Sequence, residues 1–386
     1  MQKSRRGDVA PFIVMDVMEA ARQREEAGQH IIHMEVGQPA TGAPRKAVAH
    51  LGAAMQSDPL GYTVALGRPD LRAGIAALYQ RWYGLDLSPE RIVVMAGSSA
   101  AFVLAFTALF DPGARVAVGE PGYPSYRNIL SALDLVPVGI ATGAENRFQP
   151  TPQEVSAVPG LDGLLVASPA NPIGTMLDRV ALGGLIAACQ ARGARFISDE
   201  IYHGLHYGAR GVSALELSDE VVVINSFSKY FSMTGWRIGW MVVPEDFVRT
   251  IERLAQNMFI CASHASQIAA LAALECTDEL EANLQVYRQN RSLMLDGLPR
   301  AGFDKIAPPD GAFYIYADVS EMTEDSAALA REILIEAGVA VTPGLDFDPR
   351  RGRQSLRFSY ARSPEEIREG LARLEKFMSA RGFAKG

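Results

Sequence analysis

Ser226-Phe227-Ser228-Lys229-Tyr230-Phe231-Ser232-Met233-Thr234-Gly235-Trp236-Arg237-Ile238-Gly239 is the stretch on which the reading of the chain turns. The apolar run Val221-Val222-Val223-Ile224 enters it as a buried strand, and a second apolar run, Trp236 to Val243, leaves it. Between them Ser226, Ser228, Lys229 and Arg237 stand at a strand exit among small residues. A lysine there can form an imine with a carbonyl compound, while the hydroxyls and the guanidinium can hold a phosphate. The same residues also fit a surface turn with a solvated lysine, so the neighbouring strand ends have to decide.

Upstream the pattern is regular. Residues 91–95 read as a strand, and Gly97-Ser98-Ser99 opens a helix running to Phe110. Strands follow at 114–118, 136–141, 163–167, 195–198 and 221–225, with helices around 125–133 and 178–192. Short, nearly all-apolar strands alternating with helices predict an α/β fold, a three-layer α/β/α arrangement around a mostly parallel sheet. Past residue 275 the rhythm changes to a long helix at 278–298, a strand at 312–316 and a helix at 326–337. Strands at 339–342 and 355–359 and a last helix from Pro364 complete a smaller α+β domain. Before the alternation lie a helix at 12–28 and a short run at 31–36 that ends at Gly37-Gln38-Pro39. The expected division is an N-terminal segment at 1–45 packing with the small domain, a large domain at 46–285 and the small domain at 286–386.

In an open parallel sheet, ligands bind outside the carboxyl ends of the strands. The polar residues there are Gly97-Ser98-Ser99 at a helix N-terminus, suited to an anion, and Asn171 in the turn Ser168-Pro169-Ala170-Asn171-Pro172-Ile173-Gly174. Asp199 with Tyr202 follows the next strand, and then comes the stretch quoted above. Each alone reads equally well as a turn, a cap or an ion pair. Together they describe one site.

With these residues in view, the chain resembles the pyridoxal-phosphate-dependent aminotransferases of class I/II, fold type I. The motifs that carry the resemblance are Asn171-Pro172-Ile173-Gly174, Asp199-Glu200-Ile201-Tyr202 and Ser226-Phe227-Ser228-Lys229, in that order and with Arg237 following. The match runs from Gly37-Gln38-Pro39 to Leu356-Arg357-Phe358. The resemblance implies pyridoxal 5′-phosphate as cofactor and Lys229 as the lysine that forms an imine with it. Asp199 would partner the pyridine nitrogen, with Asn171 and Tyr202 at the ring oxygen; Lys229, Asp199 and Tyr202 form the implied catalytic set. Ser98, Ser99, Ser226, Ser228 and Arg237 look like the phosphate cup, and Tyr123 like the aromatic stacked on the ring. Tyr62 resembles the tyrosine that reaches the neighbouring subunit's phosphate, which implies a homodimer with shared active sites. Arg357, with the Gly37 backbone beside it, is similar to the arginine that takes the substrate carboxylate. The implied activity moves an amino group from an L-amino acid to a 2-oxo acid in a ping-pong cycle. One departure comes after Pro343-Gly344, where the family often has Phe-Gly and this chain has Phe347-Asp348.

Composition agrees with such an enzyme. A net charge of −7 over 386 residues argues against a nucleic-acid partner. Three scattered cysteines make neither a disulfide framework nor a metal site, and no apolar run reaches membrane-spanning length, so a soluble cytoplasmic protein is expected. His203 and His206 form an HxxH without a third ligand, so no metal is expected. Two rivals stay open at this point, a carbon–sulfur β-lyase on the same scaffold and a non-catalytic cofactor-binding module. The latter would need an N-terminal DNA-binding domain, for which there is no room before residue 31. Phe12, Tyr62, Tyr123, Phe259, Ser263 and Tyr314 are candidates for the substrate pocket. No second carboxylate-binding arginine can be assigned, so neutral donors are at least as well supported as dicarboxylic ones.

Overall fold

The computed structural model describes residues 3–384. β1 (Ile32–His33) comes first, and then seven strands form the central sheet: β2 (Ile92–Met95), β3 (Arg115–Glu120), β4 (Val136–Ala141), β5 (Gly163–Ala167), β6 (Arg195–Asp199), β7 (Val222–Ser226) and β8 (Gly239–Val242). Their order across the sheet is β2-β8-β7-β6-β5-β3-β4. β8 is antiparallel to both its neighbours, and every other pairing is parallel. Strands β2, β7 and β8 are buried along their whole length, which is why they read as unbroken apolar runs rather than alternating ones. Helices cover both faces, giving the expected three layers.

The carboxyl ends of β2, β5, β6 and β7 lead directly into the polar residues singled out above. That follows from chain direction: four parallel strands end on one edge of the sheet, and their exits share one crevice.

Beyond the sheet, a helix from Thr277 to Arg300 leads to β9 (Tyr314–Asp318), β10 (Val339–Ala340), β11 (Thr342–Pro343) and β12 (Ser355–Ser359). β11, β12 and β9 make a three-stranded antiparallel sheet, while β10 pairs in parallel with β1. The strand expected at 31–36 is therefore only two residues long. Its continuation leaves the pairing because the Glu35 carbonyl turns to accept hydrogen bonds from Arg357 and Thr342. The strand expected at 339–342 splits at Val341 for a related reason, since its halves pair with different partners. The helix expected at 326–337 changes its winding at Ile333, finishes as a π turn and stops at Gly338 with φ +64°. Between β8 and the helix Thr277–Arg300 lie two further helices, Val248–Met258 and His264–Ala273. No helix among the described residues is long and apolar enough to cross a membrane.

Candidate active site

A cavity of about 580 Å³ lies at the shared strand exits. Ser98, Ser99, Tyr123, Asn171, Tyr202, Ser228, Lys229, Arg237, Arg357 and Gly37 all line it.

The lysine is placed by the turn after β7. Its Nζ donates to the Gly37 carbonyl at 2.6 Å and stands 5.6 Å from the centre of the Tyr202 ring. Burial lowers its pKa to about 8, helped by the positive charges of Arg357 and Arg237 and opposed by Asp199. Asp199 closes β6 and is buried. One of its oxygens takes the Tyr126 hydroxyl and the other takes the Ile201 N–H at 3.0 Å. Burial raises this carboxyl to about 6, while the Tyr126 and Ile201 hydrogen bonds and the Lys229 charge oppose the shift. A cation placed against it would restore the carboxylate. Asp199 and Lys229 thus form a poised pair, each pushed toward neutrality by the protein and toward charge by the other.

Arg357 is buried between two aromatic faces, Tyr314 at 4.5 Å and Phe347 at 4.7 Å. It donates to Asn171 Oδ1 at 2.9 Å, to Thr342 Oγ1 at 3.2 Å and to the Glu35 carbonyl, yet its Nε has no partner. Arg357 also lines the cavity, where a planar guanidinium is a seat for a carboxylate. Gly37 is required here, because a Cβ would lie 1.8 Å from the Tyr314 hydroxyl. That hydroxyl is 2.7 Å from the Tyr202 hydroxyl, so the two phenols share one proton-bearing contact at the cavity wall.

The anion cup forms where the helix Ser98–Leu109 begins. Its N-cap is Gly97 at φ +79°, and no side chain caps its first N–H groups. A Cβ at Gly97 would lie 2.5 Å from Arg237 Nη2, so the glycine makes room for the guanidinium over the helix start. Arg237 itself sits in the left-handed region at φ 49° and donates to the Thr234 carbonyl at 3.0 Å. A dianion held by this helix end, Ser98, Ser99, Ser228 and Arg237 fits the donor set.

Several expectations need correction. Ser226 is buried and does not line the cavity; its Oγ lies 2.8 Å from Ser228 Oγ and accepts the Ser228 N–H at 3.0 Å, so it shapes the turn that presents Ser228. Tyr62 is 83 % exposed and lies outside the cavity of its own chain, and its expected reach toward a neighbouring subunit does not require it to line that cavity. Of the pocket candidates, Phe12, Tyr123 and Tyr314 line the cavity. Ser263 instead caps the helix His264–Ala273, and Phe259 packs on the core beneath the helix Ser98–Leu109. The HxxH is structural: His203 donates from Nε2 to the Ser168 carbonyl at 2.9 Å and accepts at Nδ1 from the Tyr83 hydroxyl at 2.6 Å. Burial lowers its pKa to about 3, so it stays neutral. No cluster able to hold a metal exists among the described residues.

Two functional-site residues escaped the sequence reading. Tyr126 follows Tyr123 by one helical turn, a spacing that puts both phenols on one face and could have revealed it. Phe347 belongs to the departing loop and backs Arg357, a contact that no local signal announces.

Against known proteins, the family model for aminotransferase class I and II matches residues 29–374. A valine–pyruvate aminotransferase from Mycobacterium tuberculosis is 48% identical over 378 residues, covering 97% of each chain. The crystal structure of a proposed aminotransferase from Silicibacter pomeroyi is 66% identical, with a TM-score of 0.93 over 99% of this chain and 100% of that one. An aspartate aminotransferase from Thermus thermophilus, solved with maleate, is 30% identical with a TM-score of 0.91 over 97% of this chain and 99% of that one. The chain belongs to the aminotransferase class I and II family. It is a transaminase of fold type I.

Proposed function

We propose that this transaminase works with pyridoxal 5′-phosphate and takes its amino group from a neutral, aliphatic L-amino acid of the valine type, passing it to a short 2-oxo acid such as pyruvate. One observation carries the donor class. The cavity's cations are Lys229, Arg237 and Arg357, and the rest of its wall includes Phe12, Val14, Met15, Ile201 and Tyr314. With the lysine at the reacting carbon, one arginine at a phosphate and one at the α-carboxylate, no cation among the described lining residues is left for a side-chain carboxylate. The named Mycobacterium tuberculosis relative supports the same choice.

When bound, the cofactor supplies a conjugated ring that accepts the electron pair left at the substrate Cα. The residues of the chain do the rest. Arg357 orients the α-carboxylate through its guanidinium and so turns the Cα–H toward Lys229. Lys229 Nζ takes that proton as the free amine, a form its lowered pKa of about 8 makes accessible near neutrality. Asp199, braced by Tyr126, would hold the proton on the ring nitrogen. Asn171 and Tyr202 would face the ring oxygen and Tyr123 the ring plane. The helix start at Ser98 and Ser99, with Ser228 and Arg237, would hold the phosphate, and Ser226 would keep Ser228 in place.

We read the chain as the N-terminal segment 1–45, the large domain 46–285 and the small domain 286–386, acting in the cytoplasm. The working unit is a homodimer in which Tyr62 completes the partner's phosphate site. Exposed Tyr62, Val64, Met258 and Ile260 are consistent with a covering second copy. Mixing Lys229→Ala and Tyr62→Ala subunits tests this, since shared sites require the hybrids to change activity in proportion to their number. The donor reading is tested by kcat/KM for L-valine against L-aspartate with pyruvate as acceptor. A preference for L-valine is expected, and a preference for L-aspartate would overturn it.

A further inference from the structure

The first helix of the chain, α1 (Ile13–Glu26), starts without a cap of its own. Phe12 occupies the N-cap position and offers no side-chain acceptor. The Asp346 carboxylate, from the far end of the chain, takes its place: Ile13 N–H donates to Oδ1 at 3.0 Å and Val14 N–H to Oδ2 at 3.2 Å. Asp346 is 1 % exposed. The backbone around it is also held, by Arg127 Nη2 on the Asp346 carbonyl at 2.6 Å and by the Gly122 N–H on the Phe347 carbonyl at 3.0 Å. One short loop thus joins three parts of the site: the start of α1, the turn that carries Tyr123, and Phe347 behind Arg357.

What this cap secures is a wall. Phe12, Val14 and Met15 all line the cavity, and the Phe12 ring stands edge-on to Tyr123 at 5.7 Å. Elsewhere α1 is thinly attached, with Val14 and Ala21 as its only buried residues. A helix start without acceptors for its N–H groups frays, and a carboxylate there gains further from the helix dipole.

We propose that Asp346 is a positioning residue for the amino-acid substrate: by capping α1 from the other end of the chain, it holds Phe12, Val14 and Met15 in place over the donor's side chain, beside Arg357. This rests on the reading of the cavity as the amino-acid site. Asp346 is not among the lining residues, so it acts on how often the wall is in place. A site formed only part of the time binds more weakly in proportion to that fraction. Losing a cap of this kind shifts the local equilibrium by roughly 2- to 30-fold.

The test compares cofactor-loaded Asp346→Ala and Asp346→Asn proteins with the parent. Two quantities are read: amide hydrogen exchange over residues 13–17, and the concentration dependence of the single-turnover half-reaction with the amino acid the parent uses fastest. For Asp346→Ala, a roughly tenfold shift divides between the two readouts: with the wall in place about three-quarters of the time in the parent, exchange and the half-saturating concentration each rise about threefold, with the limiting rate within about twofold. Asp346→Asn, which keeps one acceptor, falls between. Faster exchange with unchanged half-saturation would make the cap merely structural and overturn the proposal, as would unchanged exchange. Should Asp346→Ala not fold, Phe12→Ala removes the wall and leaves the cap; the same rise in half-saturation is expected, and no rise overturns the proposal. A parent that prefers a dicarboxylic donor overturns the donor reading alone, because the ratios are then measured with that donor. A parent that reacts with no amino acid overturns both.

Discussion

Asp199 and Glu200 are adjacent, fully buried carboxyls, and the protein uses them in opposite ways. Asp199 ends β6 behind the cavity wall, tied to the lining residue Tyr126 and within the field of Lys229. Glu200 turns into the scaffold, where its Oε1 accepts from Ala214 N–H at 2.8 Å, Ser198 Oγ at 3.1 Å and Ser213 Oγ at 3.2 Å. Burial raises both, Asp199 to about 6 and Glu200 to about 8. The more strongly shifted group is therefore the one away from the cavity. A perturbed pKa marks a buried group, and only its geometry toward a cavity and a charge partner marks a reacting one.

Substitutions can break or sharpen this contrast. The largest effect belongs to the lysine that holds Asp199 toward charge. Lys229→Ala should lower transamination by about 10³-fold or more, the upper part of what a lost acid–base group removes. Steady-state turnover with L-valine and pyruvate measures it, and a loss under tenfold would detach Lys229 from the chemistry. Next is the pair itself. Asp199→Asn leaves a cationic partner without its counter-charge, a loss of about 3–5 kcal/mol, or roughly 10²- to 10⁴-fold in kcat/KM. Glu200→Gln should keep activity within about twofold, since burial already favours a neutral side chain there. Equal losses for the two would erase the contrast.

Arg357→Lys comes third. It keeps the charge and loses the planar fork, so KM for both donor and acceptor should rise about 10- to 100-fold, with kcat changed less. The smallest effect is on stability against pH. Glu200 has its pKa raised from 4.5 to about 8, so the folded chain binds the extra proton between those values. Its contribution is full below about pH 4.5 and is lost as pH rises through about 8. Relative to the parent, Glu200→Gln should therefore flatten the stability profile across that window in denaturant titrations. A parallel profile would place the proton elsewhere.

The legible part of the site was the part built from consecutive residues at strand exits. Asn171, Asp199, Ser228 and Lys229 stand beside apolar runs that announce buried strands, and chain direction alone brings four exits together. Arg357 and Gly37 became readable through resemblance. What pattern could not show depends on pairing across the chain. The Asp346 cap on α1 spans 333 residues, and Phe347 acquires its role only by stacking on Arg357. Ser226 illustrates the reverse error: a hydroxyl three residues before the lysine looks outward in sequence, but hydrogen bonding folds it back into its own turn.

The most direct test of the central claim is one titration. Cofactor-loaded protein is mixed with L-valine and no oxo acid, and the cofactor's absorbance is followed. A transaminase with this cavity converts the Lys229-bound form to the amine form once per site, releases one equivalent of 2-oxo acid, and returns when pyruvate is added. Continuous release of ammonia and oxo acid without that conversion would contradict it.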